Sequence, residues 1–320
     1  YVIFGKANNF SNINLATTNL VATGQGFSIS GSLLFPSVNS AGDMNGDSYA
    51  DIIIGSPNEG SEAGVSYIIF GKAHGFTNIN LNTLSITQGF AIFGSNKNDY
   101  SGTSVSSAGD FNNDSYDDVI IGAYGANSNA GISYLIFGHA GNFSNIYLTN
   151  LTNAQGISIF GPLNSYPYSY SGASVSGAGD INRDEYDDII IGGYGSKSYC
   201  YILFGHASPF NNIELSGLSD NQGFNISGAS PYFYNGVSSA GDINNDSYAD
   251  MIIGSPYAEL NAGVSYVIFG RSNFNNLNVN SLTISQGFNI TGPNTGDRSG
   301  ISVSGIGDFN GDGYNDTIIG

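Results

Sequence analysis

The residues best suited to chemistry in this chain are carboxylates and amides set two positions apart. Asp43, Asn45, Asp47, Tyr49 and Asp51 form one such series. The pattern returns as Asp110, Asn112, Asp114, Tyr116, Asp118, and as Asp180, Asn182, Asp184, Tyr186, Asp188. It returns again as Asp242, Asn244, Asp246, Tyr248, Asp250, and as Asp308, Asn310, Asp312, Tyr314, Asp316. Calcium takes oxygen ligands at about 2.3–2.6 Å from loops that can curl around it. Alternate spacing turns successive oxygens toward one centre. A phenol is a poor calcium ligand, so each Tyr is expected to give its backbone carbonyl and to pack its ring into the sheet. An EF-hand would need a bidentate Glu at the twelfth position and flanking helices. That position holds Ile54, Ile121, Ile191, Ile253 and Ile319, each in a strand-like run. Asp/Asn-rich turns would explain one copy. Five copies of one donor set favour up to five structural Ca2+ ions.

Charge agrees with that reading. The net charge is −18, and 18 of the 25 acidic residues lie in these loops. Clustered carboxylates repel one another unless cations offset them. So acidic a chain lacks the basic footprint of a nucleic-acid binder. No apolar run is long enough to span a membrane. The first residue is Tyr1 and no signal peptide follows it, which reads as a mature form or a fragment.

These loops need hairpins to hold them, and the chain supplies them with a period of roughly 66 residues. Each period reads as four short strands, as in GTSVSSAGD, DDVIIG, SYLIFG and GISIFG from Gly102 to Gly161. An alternating segment such as NINL, Asn78 to Leu81, precedes the fourth strand and resembles an extra edge strand. Turn residues bound every run, and no helical period appears. Four-stranded units at this spacing are the signature of propeller blades. The first strands are rich in Ser, Ala and Gly around Val38, Val105, Val175, Val237 and Val303, as strands crowded near an axis should be. The expected fold is an all-β propeller forming one domain over residues 1–320. The chain begins on a third strand, YVIFG, and stops on a second, DTIIG. Pairing them would close a fifth blade and remove two sheet edges. The alternative is part of a seven-bladed propeller.

The chain resembles the FG-GAP repeats of integrin α-subunit propellers. Phe93-Gly94 is similar to the FG element, Asp110 to Asp118 to the calcium loop, and Gly122-Ala123-Tyr124 to the GAP element. Gly55-Ser56-Pro57 and Gly254-Ser255-Pro256 match that last element differently. The FG survives as Phe160-Gly161 but becomes Ser30-Gly31, Ser227-Gly228 and Thr291-Gly292 elsewhere. The resemblance implies a propeller with calcium between strands one and two, and roles in adhesion or recognition outside the cell or at its surface. The family usually has seven blades; this chain builds five.

In a propeller the loops opposite the acidic ones connect strands two to three and four to one. Here they carry Tyr100, Tyr124, Tyr166, Tyr168, Tyr170, Tyr194, Tyr232, Phe233, Tyr234 and Tyr257. Tyrosine offers a flat apolar body and a polar tip suited to sugars or protein partners. Tyr168, Tyr170, Tyr232 and Tyr234 are the candidate ligand-binding residues; covering the ends of the sheets is the plainer role. Lys6, Lys72, His139, His206 and Arg271 follow the Phe-Gly steps, and charge balance with nearby carboxylates is the expected role. Cys200 is the lone cysteine, so no internal disulfide forms. Asn-x-Ser/Thr acceptors such as Asn142 and Asn150 permit glycosylation without showing it. No nucleophile–base set, HExxH or phosphate loop is present, which argues against an enzyme. The leading expectation is a non-enzymatic extracellular adhesion module that binds protein or glycan. A structural subunit of an extracellular assembly, by self-association, and an accessory propeller of a hydrolase stand behind it.

Overall fold

A computed structural model describes residues 1–8, 12–33, 35–163, 168–195, 200–228 and 236–320. Val, Ile and Tyr runs too short for helices, each closed by Gly or Asp, make this chain almost entirely β. Four antiparallel sheets follow one another along it. The first pairs Ser37–Gly42, Asp51–Ser56, Val65–Ile69 and Gly89–Phe93 in that order. The second pairs Ser104–Gly109, Asp118–Ala123, Ile132–Ile136 and Gly156–Phe160. The third uses Ser174–Gly179, Asp188–Gly192, Cys200–Leu203 and Gly223–Ser227. The fourth uses Gly236–Gly241, Asp250–Ser255, Val264–Ile268 and Gly287–Thr291. The first strands of successive sheets pack side by side. Ala41, Ala108, Ala178 and Ala240 are fully buried there, which explains the small side chains. The architecture is a β-propeller.

The middle strands of each sheet are buried on both faces, so they read as unbroken Ile and Val rather than alternating. Ile53, Ile68 and Phe90 of the first sheet pack on Val119, Ile121 and Ile136 of the second. Ile120, Leu135 and Ile157 then pack on Ile189, Ile191 and Leu203 of the third. Ile190, Ile202 and Phe224 meet Met251, Ile253 and Ile268 of the fourth. Cys200 lies in that last layer, fully buried, and burial pushes its thiol pKa up.

The alternating segment before each fourth strand is indeed a strand, but it joins its neighbour's sheet. Ile146–Tyr147 pairs in parallel with Ile92 and Phe93 of the preceding sheet. Ile213–Glu214 and Leu277–Asn278 do the same, and Ile79–Asn80 pairs in parallel with Ile29–Ser30 as a two-stranded sheet. Each connection thereby ties two sheets together along their outer edge.

The expected closing blade is not formed. Val2–Ile3 pairs with Gly26–Phe27, and Val303–Gly307 pairs with Asp316–Ile319, as separate two-stranded sheets. Val38 is 67 % exposed, whereas its counterparts Val105, Val175 and Val237 are buried. Among the described residues no helix is long and apolar enough to cross a membrane.

Candidate metal loops and the opposite aromatic face

Each acidic loop starts at a β-bulge. At the end of the first strand, Gly42 pairs with Asp51 while Ser40 pairs with Ile52, leaving Ala41 extra. Gly42 has φ +68°, the left-handed region that suits glycine at a bulge. The chain then folds back through side chain–backbone bonds. Asp43 accepts the Asp47 N–H on Oδ1 (3.0 Å) and the Ser48 N–H on Oδ2 (2.7 Å). Asn45 Oδ1 accepts the Asp47 N–H (2.8 Å), and Asp47 Oδ1 accepts the Tyr49 N–H (2.9 Å). Asp110, Asp180, Asp242 and Asp308 hold their own loops in the same way. Asp114, Asp184, Asp246 and Asp312 each accept the N–H of the following loop tyrosine, Tyr116, Tyr186, Tyr248 and Tyr314.

The ninth-position aspartates sit deeper. Asp51, Asp118, Asp188 and Asp250 are essentially fully buried. Their Oδ2 atoms accept the N–H of the second loop residue: Met44, Phe111, Ile181 and Ile243. Their Oδ1 atoms accept the N–H of the glycine ending the third strand: Gly71, Gly138, Gly205 and Gly270. Asp316 accepts the Phe309 N–H on Oδ2 (2.8 Å). Burial pushes the pKa of Asp51 up to about 7, Asp188 to about 8 and Asp250 to about 6, against the opposing pull of those N–H bonds. Asp118 is raised well above the ordinary range for the same reason. The neighbouring loop carboxylates add to each shift.

Among the described residues no three acidic, histidine or cysteine side chains converge as a ready-made metal cage. The aspartates are instead engaged with backbone N–H groups around the curl. The donor chemistry nevertheless fits a hard cation: carboxylates, an amide oxygen and a carbonyl in one short loop. One atom stands out. Asn112 Oδ1 is buried and accepts no hydrogen bond, whereas Asn45, Asn182, Asn244 and Asn310 hold an N–H of their own loops. A buried orphan acceptor at a ligand position is the kind of group an ion would satisfy.

The tyrosine rings do not sink into their own sheets as expected. Tyr49 is 42 % exposed and Tyr314 46 %. The Tyr116 ring lies against Gly46 of the preceding loop, and the Tyr248 ring lies under Arg183 of the loop before it (5.4 Å). Two residues that the spacing did not single out also reach across. Asp117 Oδ2 accepts the Asp43 N–H (2.6 Å), and Asp187 Oδ2 accepts the Asp110 N–H (2.9 Å). The eighth loop position is Ala50, Asp117, Asp187, Ala249 and Asn315 in turn, and that variation hid its role.

Four of the five residues after Phe-Gly lie against aromatic rings. Lys72 Nζ lies 5.4 Å from the Phe76 ring centre, and the Arg271 guanidinium 4.5 Å from that of Phe274. His139 stacks on Phe143 at 4.0 Å, and His206 packs on Phe210 at 4.8 Å. Cations over ring faces gain from the quadrupole of the ring. A Phe recurring three or four residues later was the available signal.

At the other end of the sheets the tyrosines gather. Tyr100 stacks on Tyr124 (5.2 Å, 4°), and Tyr170 on Tyr194 (4.5 Å, 18°). Tyr124 joins the two pairs at 6.1 Å to Tyr170 and 6.3 Å to Tyr194. Tyr168 meets Tyr170 edge-on at 5.6 Å and is 48 % exposed. Tyr166, Tyr232, Phe233 and Tyr234 lie outside the described residues. Beside the cluster, Ser61 and Glu62, then Asn127, Ser128 and Asn129, run through left-handed backbone, a conformation costly for such residues.

The model of the FG-GAP repeat matches residues 35–69, 101–136 and 233–268. Integrin alpha-V of Gallus gallus is 31 % identical over 163 residues, covering 48 % of this chain and 14 % of that protein. Integrin alpha-8 of Mus musculus is 32 % identical over 158 residues, covering 49 % and 14 %. Integrin alpha pat-2 of Caenorhabditis elegans is 28 % identical over 253 residues, covering 71 % and 18 %. The chain thus spans less than a fifth of the length of these relatives. The matched segments carry the inner hairpins and their acidic loops, and the sheets they form fan out as blades: the chain is a β-propeller that carries FG-GAP repeats and is similar to integrin α subunits.

Proposed function

We propose that this chain is an extracellular, non-enzymatic recognition module whose propeller is held by calcium in its acidic loops and whose tyrosine face binds a protein or glycan. The observation that carries the reading is the division of labour between the two ends of the sheets. One end repeats a single oxygen-donor loop. The other gathers Tyr100, Tyr124, Tyr168, Tyr170 and Tyr194 into one connected aromatic surface across two adjacent sheets. Calcium would be held by the first, third, fifth and ninth side chains of each loop and by the seventh carbonyl. Such ions offset the buried carboxylate charge and cross-link the hairpin; their role is structural. Resemblance to integrin α subunits supports an adhesive setting at the cell surface or in the matrix, and the low lysine and cysteine content is compatible with it.

The test is an array of glycans and matrix proteins probed with the purified chain, with and without chelator. The reading expects binding that is lost on chelation and in the Tyr168→Ala/Tyr170→Ala double variant. Binding untouched by the double variant would remove the aromatic face from the account. A melting temperature unmoved by chelator would remove the structural ions.

A further inference from the structure

We propose that Asp117 and Asp187 couple neighbouring acidic loops, so that the first three load with divalent cations as one cooperative unit and the fourth and fifth load separately. This rests on the reading of the loops as cation sites.

Residue 117 of the second loop holds the first loop at both sides of one residue. Its carboxylate accepts the Asp43 N–H (2.6 Å), and its own N–H donates to the Asp43 carbonyl (3.2 Å). Asp43 is the first donor of its loop. Asp187 repeats both bonds on Asp110, at 2.9 and 3.2 Å. The residues on either side of Asp117 also bear on the first loop. The Tyr116 ring covers Gly46. Asp118 holds the Gly138 N–H, and the next residue, His139, donates its N–H to the Met44 carbonyl (2.9 Å). A cation that draws in the Tyr116 carbonyl and the Asp118 carboxylate therefore moves groups already bonded to the loop before. The third loop grips the second through the same parts: Asp188 on Gly205, and the His206 N–H on the Phe111 carbonyl (3.1 Å).

The remaining joints are built-in controls. Ala249 donates its N–H to the Asp180 carbonyl (3.1 Å), and Arg271 donates to the Ile181 carbonyl (2.8 Å), but a methyl group stands where the carboxylate was. At the last joint Asn315 donates to the Asp242 carbonyl (3.2 Å) and carries a neutral amide. Backbone ties thus run the whole length, while the carboxylate is confined to two joints. That carboxylate places negative charge between two cation loops, so an ion in either one favours its fixed position. It also fixes the backbone of the first donor in the preceding loop, and ordering done for one ion need not be repeated for the next. Gly42 and Gly109 leave the path open; any side chain there would meet the Asp117 or Asp187 carboxylate. Gly179 keeps the same left-handed backbone at the third joint (φ +72°), so a carboxylate at position 249 has a seat waiting.

The experiment is a titration of the full chain with Tb3+, read by luminescence sensitised through the loop tyrosines, and with Ca2+ by calorimetry. Wild type is expected to show a steep phase for three sites and a separate, shallower one. Asp117→Ala/Asp187→Ala should keep the number of sites, flatten the steep phase and raise its midpoint about fivefold or more, the lower end of ordinary coupling. Ala249→Asp should bring a fourth site into the steep phase. That gain is not something a misfolded variant could mimic, so it decides the matter if the double variant fails to fold. Binding in wild type with both variants unchanged overturns the coupling alone. A wild type that takes up no cation overturns the coupling and the cation reading together.

Discussion

The two ends of the sheets follow different rules. At the acidic end, the side chain–backbone bonds of the first, fifth and ninth positions recur from loop to loop, and the connecting hairpins keep one length. At the tyrosine end, turn length and composition change from sheet to sheet, from SNKNDYSG (Ser95 to Gly102) to PLNSYPYSYSG (Pro162 to Gly172). A loop that must hold adjacent hairpins in register has little freedom. Loops that present side chains to solvent can vary without disturbing the scaffold, and that is where recognition usually lies. The contrast predicts stability effects at one end and binding effects at the other.

The largest effect should come from removing the ions. At free calcium tenfold above Kd each site contributes about 1.4 kcal/mol, so five sites contribute about 7 kcal/mol. Urea unfolding with and without chelator measures it. The pH dependence sharpens the comparison. Burial raises Asp51, Asp188 and Asp250 to about 7, 8 and 6 in the folded, ion-free protein. A carboxyl whose folded pKa lies above its unfolded value contributes fully below the unfolded value and loses that contribution as pH rises through the folded one. Ion-free protein should therefore lose stability from pH 4 to 8, and saturating calcium should abolish that slope. A chelated protein equally stable at both ends of this range would break the comparison at its acidic end.

Next in size is Phe111→Ala. Phe111 is fully buried in the second loop and packs against His206 and Phe210, in the connection that follows Cys200–Leu203. Its loss should cost about 3–5 kcal/mol by the usual cavity penalty, read by chemical denaturation. Gly109→Ala should cost about 1–3 kcal/mol. It combines a left-handed backbone with a collision at the Asp187 carboxylate. Asp187→Ala on top of it should relieve part of that loss. Smallest in stability is Tyr168→Ala at the opposite end, within about 0.5 kcal/mol as for exposed substitutions. Paired with Tyr170→Ala it should nonetheless abolish ligand capture. A large stability loss there, with binding intact, would reverse the assignment of the two ends.

Local spacing carried the legible part. Alternate oxygen donors, turn residues and short Ile/Val runs are read within about ten residues, and with the repeat spacing they yielded the loops, the strands and the propeller class. Other features have no local signature. Ile146–Tyr147 looks like any alternating pair, yet it joins the sheet before its own because the connection swings back to cover that outer edge. Asp117 and Asp187 sit at a position that changes between Ala, Asp and Asn, so periodicity passed over them. Lys72, His139, His206 and Arg271 appeared destined for carboxylates; the nearer aromatic rings received them.

Composition and short-range pattern were sufficient to specify a repeating β chain with five oxygen-rich hairpins, since both depend on neighbours a few bonds away. How the hairpins lean on one another was settled by packing. That packing left Val2–Ile3 and Asp316–Ile319 in separate sheets. That same approach of sheet to sheet brought Asp117 onto Asp43, residues far apart in the chain, through contacts that no local pattern encodes.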